Sequence, residues 1–400
     1  MPKVKVSRRL ISRRATVGFL AVGWDVWGLQ RVMTKLVVKN TIKRVAVLAV
    51  AATMVLSLAD SANALPKLKG AASQNSVTGK FSVSGTKIIG PNGKQFVPRG
   101  VNKGGLEWLK NGYDESYWNY QKMTTWGANV VRVPLSPAFA VAGMCTYDKN
   151  YIKRVDNIVT WTKQLGMLLI LDDHVSTKGL TCGTGNWSGP QKAPDIHSLD
   201  FVKLLAKRYK SDGWVAIDLY NEPHDIPDNI WRNGGIVDGW RSIGMQQMLD
   251  AVRSTGNQNL VFATGNEWGN DLRMVVNNPL QNDANVVYGA HTYPFQCNGR
   301  VVYYNEPYNC QNKQYPPFLD LQIAPAIARR AVMITEFGSQ RSIPGEIQAP
   351  IDWAEAHHIG WAAWLWSNGK MTDFCLLDSS GNPSVSGRPV RDSLARATGK

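Results

Sequence analysis

Four hundred residues are too many for one small module and suit an export leader followed by one large domain. With 44% hydrophobic and 19% charged residues and a mean hydropathy of −0.23, the chain can bury a sizeable core, which excludes a mainly disordered protein. The formal net charge of +15 is no sign of a nucleic-acid partner, because residues 1–64 carry +9 of it and the other residues only +6.

Along the chain, the first recognisable element is an apolar run at 45–59 behind Lys43-Arg44 and just ahead of Ala62-Asn63-Ala64. A basic flank, a short apolar stretch and an A-x-A site predict a secretory signal cut after Ala64, and hence a secreted protein. The run is shorter than the roughly 20 residues of a spanning helix, so no stable membrane anchor is expected. Met33 would begin an ordinary signal and is a candidate true start. The Arg8-Arg9 and Arg13-Arg14 pairs only faintly suggest twin-arginine export. Residues 65–80 read as a linker and 81–400 as the functional domain.

That domain opens with an expected hairpin at 81–97, turning at Gly90-Pro91-Asn92-Gly93. Eight short apolar runs follow, at 96–101, 129–135, 167–171, 214–220, 259–264, 285–290, 331–334 and 360–366. Most are separated by segments long enough for a helix, and 151–165 and 196–209 show helical spacing. Eight strands alternating with helices predict an α/β fold, a (β/α)8 TIM barrel. A doubly wound open sheet is the alternative, but no G-x-G-x-x-G follows an early strand. Five cysteines, 145, 182, 297, 310 and 375, fall in this domain, none in a C-x-x-C pair, so a zinc or thioredoxin-like reading has no support. Cys297 and Cys310 flank one loop and are the first disulfide candidates, with Cys145 and Cys182 next.

In a parallel barrel the residues just past the C-terminal end of each strand face one common site. Those positions hold Arg132, Asp172-Asp173-His174, Asn221-Glu222-Pro223, Glu267-Trp268, His291-Thr292-Tyr293, Glu336-Phe337-Gly338 and Trp366. Two carboxylates on nearly opposite strands can carry out glycosyl transfer: one protonates the leaving oxygen, and the other attacks or stabilises an oxocarbenium-like centre. They would stand about 5–5.5 Å apart if configuration is retained. Arg132 could instead tie the barrel by ion pairs, His174 and His291 could be core histidines, and Glu267 is a rival carboxylate. Asp172, Asp173 and His174 make a poor metal set, since adjacent strand side chains point to opposite faces.

Asn221-Glu222-Pro223 and Ile334-Thr335-Glu336-Phe337-Gly338, with Val131-Arg132-Val133-Pro134, His174, His291-Thr292-Tyr293 and Trp364-Leu365-Trp366, resemble the motifs of glycoside hydrolase family 5, in barrel order. The resemblance runs from about residue 87 to the C-terminus. It implies a retaining endo-β-glycanase, first of all an endo-β-1,4-glucanase (cellulase), with β-mannan as the second substrate. Glu222 would be the acid/base and Glu336 the nucleophile. Asn221 would hold the 2-hydroxyl, and Arg132 and Tyr293 would keep Glu336 ionised. His174 and His291 would shape the site, and Trp366 would floor the sugar subsite. Among loop tryptophans, Trp268, Trp108, Trp187 and Trp231 are candidates for sugar stacking, whereas Trp126, Trp161 and Trp214 read as core. Lys103 stands where many cellulases of the family carry an aromatic, which leaves the glycan open. The expectation is a monomer acting on a polysaccharide or oligosaccharide, with no cofactor, no metal and no nucleic acid.

Overall fold

The computed structural model describes residues 79–174, 191–293, 315–340, 342–368 and 374–399. β1 (Ser82–Ser84) and β2 (Lys87–Ile89) pair antiparallel. After them come β3 (Arg99–Asn102), β4 (Val130–Leu135), β5 (Leu168–Asp173) and β6 (Val215–Asp218). A small antiparallel ribbon, β7 (Gly235–Val237) and β8 (Trp240–Ser242), interrupts the series. It resumes with β9 (Val261–Thr264), β10 (Val286–Thr292), β11 (Val332–Phe337) and β12 (Gly360–Ala363). All eight expected runs thus form strands. They close a parallel barrel in sequence order, with β12 pairing back to β3, which is the TIM-barrel arrangement.

The helices pack outside because their apolar residues recur at helical spacing. Tyr151–Gln164 buries Tyr151, Val155, Ile158, Val159 and Thr162. Ile196–Tyr209 is started by Asp195, whose carboxylate accepts from the amides of His197 and Ser198 at 2.8 and 3.1 Å. Outward strand residues such as Val131, Val133, Leu169, Leu171, Ile217 and Ala263 share one core with these helices.

The inward residues divide into two levels. Val130, Leu168, Ile170, Ala216, Phe262, Val287 and Met333 form a separate apolar cluster inside the barrel. Two residues further along their strands come Arg132, Asp172 (after Ile170), Asp218, Thr264 and, past Gly289, His291, so the period of two switches the interior from apolar to polar near the strand ends. Gly100, also inward, has no room for a side chain: a Cβ there would lie 1.9 Å from the Val130 carbonyl oxygen.

The hairpin differs from expectation. Its tight turn is Gly85-Thr86, with Gly85 at φ 59°, because two residues between short alternating strands suffice for a hairpin. Gly90-Pro91-Asn92-Gly93 makes a second reversal instead, in which the Phe96 amide donates to the Ile88 carbonyl at 2.8 Å. The hairpin closes the N-terminal end of the barrel: Phe81 packs edge-on against Phe96 and Trp214, with ring centres 4.8 and 5.0 Å away.

Cys145 is disulfide-bonded, and Cys375 is a buried thiol. Cys182, Cys297 and Cys310 lie outside the described residues, as do the leader 1–64, Met33, Trp187 and nearly all of the linker 65–80. No helix among the described residues is long and apolar enough to cross a membrane.

Candidate active site

Arg132 organises the polar end of the barrel. Its side chain is fully buried, and its guanidinium spreads over four strands. Nε donates to Asp218 Oδ2 at 2.9 Å, Nη1 to Asn102 Oδ1 at 3.1 Å and to Glu336 Oε2 at 3.0 Å, and Nη2 to Asn221 Oδ1 at 2.9 Å. Nη2 also stands 3.0 Å from Asp172 Oδ1, an ionic contact out of line for a hydrogen bond. A planar five-donor fork suits this task, and a lysine could not span it.

Glu336 reaches this cluster through an irregularity in β11. Ala290 pairs with Ile334 but His291 pairs with Glu336, so Thr335 is one residue too many. Such a bulge re-aims the side chain that follows it. The carbonyl of Thr335 is caught by Asn102 Nδ2 at 3.0 Å. Glu336 Oε1 then accepts from the Tyr293 hydroxyl at 2.5 Å while Oε2 accepts from Arg132. Both oxygens face donors, one of them cationic, an environment that suits a carboxylate.

Glu222 follows β6, where its neighbour Asn221 is tied to Asp173 by a 2.9 Å backbone bond. Its Oε1 lies 2.8 Å from His291 Nδ1. One donor atom each from Glu222, His291 and Glu336 all fall within 4.8 Å of one another. Three successive residues with positive φ, Glu267, Trp268 and Gly269, hold His291 in place. Gly269 accepts from the His291 amide at 2.9 Å, and a Cβ on it would lie 2.9 Å from His291 Cγ.

The two carboxylates sit in different surroundings. Burial pushes Glu222 up to about 7, opposed by the charge of Arg132. Its side chain keeps 16% of its surface, so it is the accessible one, against 6% for Glu336. Burial lowers His174 to about 4 and His291 to about 3, which leaves both rings neutral near pH 7. Burial also raises Asp172 and Asp218, while Arg132 pulls them back. Tyr293 is held well above the usual phenol range by burial and by Glu336, so it remains a donor.

His174 is bonded through Nδ1 to Asp172 Oδ2 at 2.7 Å, and its ring stacks on Trp364 at 5.2 Å and 4°. From the sequence Trp364 enters only as part of Trp364-Leu365-Trp366, with no role of its own, yet its ring lies beside the site. Trp366, expected as the sugar floor, is 1% exposed. It packs edge-on against Trp126 at 4.7 Å and donates to Asn119 at 3.2 Å, so it offers no free face. The strand ends at Ala363, so alternation no longer assigns the following side chains. Trp366→Ala is accordingly expected to cost about 3–5 kcal/mol of folding stability, read by denaturant unfolding. A cost below about 1 kcal/mol, with activity lost, would restore Trp366 to the sugar site.

Trp268 stacks on His224 at 3.5 Å and 14°, on the Glu222 side of the mouth. Trp231, expected in a top-face loop, is buried and donates to the Thr264 carbonyl at 2.9 Å. Trp108 is exposed. Lys103 is buried, with Nζ on Glu115 at 2.8 Å and on the Tyr113 carbonyl at 2.7 Å. Its ammonium is therefore engaged with neighbouring protein groups.

This arrangement brings a protonatable carboxyl and a carboxylate held by two donors within 4.8 Å of one another, counting one oxygen of each. The Glu222–His291–Glu336 group could in principle hold a cation, but Arg132 and Tyr293 already occupy both oxygens of Glu336, and Glu222 occupies His291 Nδ1.

The family described as Cellulase (glycosyl hydrolase family 5) matches residues 89–370. An endoglucanase of Paenibacillus polymyxa is 27% identical over 249 residues, covering 54% of this chain and 61% of that protein. A mannan endo-1,4-beta-mannosidase of Salipaludibacillus agaradhaerens is 23% identical over 307 residues, covering 75% of this chain and 85% of that protein. The chain spans 61%, 52% and 46% of the length of the first three curated relatives it matches. Among solved structures, a beta-glucanase of Saccharophagus degradans has the same fold at a TM-score of 0.60, with 20% identity, 80% of this chain and 94% of that one covered. On the family match, which takes in both glutamates and most of the barrel, this chain belongs to glycosyl hydrolase family 5.

Proposed function

We propose that this protein is a retaining endo-β-1,4-glucanase in which Glu222 is the acid/base and Glu336 the nucleophile. The observation that carries the reading is the carboxylate pair, with chosen oxygens within 4.8 Å and opposite dressing. Oxygens that approach this closely favour the shorter spacing of retaining enzymes, roughly 5–5.5 Å between carboxyl groups, over the about 6.5–9.5 Å of inverting ones.

In the first step Glu336 Oε attacks the anomeric carbon from the face opposite the departing oxygen. The glycosidic C–O bond breaks, and the Glu222 proton goes to that oxygen. The product is a glycosyl ester on Glu336 and a free sugar chain end. In the second step Glu222, now a carboxylate, takes a proton from water as the water oxygen attacks the same carbon and releases Glu336. Two inversions give retention. Arg132 and Tyr293 hold Glu336 still before attack and donate to it again as it leaves. Asn221, whose oxygen is occupied by Arg132, keeps its NH₂ for the 2-hydroxyl. Trp364 with His174 would line the glycon side and Trp268 with His224 the leaving-group side, both as flat apolar walls for sugar C–H faces.

The endoglucanase relatives support β-1,4-glucan as substrate, and the mannosidase relative, which matches more of this chain, keeps β-1,4-mannan as the second reading. The leader 1–64 would direct secretion and be removed after Ala64, leaving a monomeric barrel behind a short linker.

The test is reducing-sugar release from carboxymethyl-cellulose, mannan, xylan, mixed-linkage glucan and β-1,3-glucan, with and without EDTA. Release from carboxymethyl-cellulose above all others, unchanged by EDTA, is the expected result. A preference for mannan would replace the substrate, and no release from any polymer would overturn the reading.

A further inference from the structure

The mechanism above leaves Asp172 without a role, although its carboxylate is fully buried between two groups of the site. Oδ1 stands 3.0 Å from Arg132 Nη2, and Oδ2 stands 2.7 Å from His174 Nδ1. Arg132 in turn holds Glu336 at 3.0 Å, and the His174 ring lies flat against Trp364. One residue therefore touches both the group that holds Glu336 and the ring that the proposed function sets on the glycon side.

Resting on the proposed glycanase function, we infer that Asp172 is a positioning residue that sets the tautomer of His174, so that Nδ1 carries the proton and Nε2 presents a lone pair to a hydroxyl of the bound sugar. The chemistry follows from what Asp172 can accept. A carboxylate beside a guanidinium is an acceptor on both oxygens, so the hydrogen on the 2.7 Å contact belongs to His174 Nδ1. A neutral imidazole with a protonated Nδ1 has only Nε2 left, and that atom is an acceptor. Since Arg132, Tyr293 and the Asn221 amide all donate, a sugar hydroxyl that must itself donate needs an acceptor that is not one of the reacting carboxylates. His174 in this tautomer supplies it. The stack on Trp364 fixes the ring plane, and Asp172 fixes which edge is protonated.

Asp172→Asn tests this. The amide can offer one oxygen only. Turned towards Arg132, it presents its NH₂ to His174, whose Nδ1 must then accept, and the proton moves to Nε2. In the unsubstituted protein, ¹⁵N spectra of the His174 ring, assigned by their loss in His174→Gln, are expected to show a protonated Nδ1 and a bare Nε2. In Asp172→Asn the two shifts should exchange. kcat/KM on the preferred glycan should fall about 10- to 100-fold, the effect of one hydrogen bond to a charged group. In the His174→Gln background the same change should cost less than about threefold, because the pair acts as a unit.

A protonated Nε2 in the unsubstituted protein would overturn the inference, and so would additive losses in the two backgrounds. The unsubstituted protein decides the tautomer even if Asp172→Asn fails to fold. The spectra need no substrate, so failure to cleave any glycan would remove the function and leave the tautomer assignment to stand or fall by itself.

Discussion

Glu336→Gln is expected to abolish glycan hydrolysis, by about 10⁴-fold or more in kcat, the scale seen when a covalent nucleophile is removed. The amide keeps the shape of the side chain but cannot form a glycosyl ester. Folding should suffer little. Arg132 retains Asp172 and Asp218 as counter-charges, at 3.0 and 2.9 Å, so the substitution orphans no buried cation. A thermal unfolding curve close to that of the unsubstituted protein would therefore accompany the loss of activity. Glu336→Ala carries the test further, because it opens space on the face from which Glu336 attacks. Azide placed there should displace the leaving group from an activated β-glycoside in one step and give the α-glycosyl azide. Activity that survives in Glu336→Gln would remove Glu336 from the mechanism and return attention to Glu267.

Much of this fold could be read from the chain, because parallel strands buried on both faces appear as short apolar runs and all eight do so here. The same logic locates Glu222, His291 and Glu336, which sit near or just past strand ends, whereas Arg132, expected past its strand, lies inside β4 and reaches the site by the length of its side chain. Other features follow from contacts with no local signal. Thr335 looks like an ordinary β-branched residue, and only its pairing shows that it is an extra residue and that the bulge aims Glu336. Asp172 reads as one of two adjacent acids, and Asp218 as a polar residue at the end of a strand. Their importance lies in sharing Arg132, which joins residues 86 apart in the chain in one of its bonds. Trp364 and Trp366 have the same parity, so alternation could not choose between them once β12 ended at Ala363. The hairpin turn was misplaced because Pro-Asn-Gly is the stronger local signal, whereas Gly85-Thr86 owes its turn to the short strands on either side.

Glu222→Gln should behave differently from Glu336→Gln, and the difference assigns the two roles. On a polysaccharide, whose leaving group needs a proton, the loss should be about 10²–10⁴-fold. On a dinitrophenyl glycoside, whose leaving group departs unprotonated, the first step should proceed almost unimpaired. The glycosyl ester then accumulates, visible as a burst of dinitrophenol. Azide should relieve the block by attacking the ester, and because this is a second inversion the product is the β-glycosyl azide. The pH profile supplies an independent sign. Burial disfavours the charged form of Glu222 and raises it to about 7, so the proton it must deliver is present below that value and is lost above it. kcat/KM on polysaccharide should therefore fall as pH rises through about 7, and this alkaline limb should be missing in Glu222→Gln. His291 lies 2.8 Å away but is lowered to about 3, so it cannot be the source of that limb. An alkaline limb that persists in Glu222→Gln would mean that some other group delivers the proton.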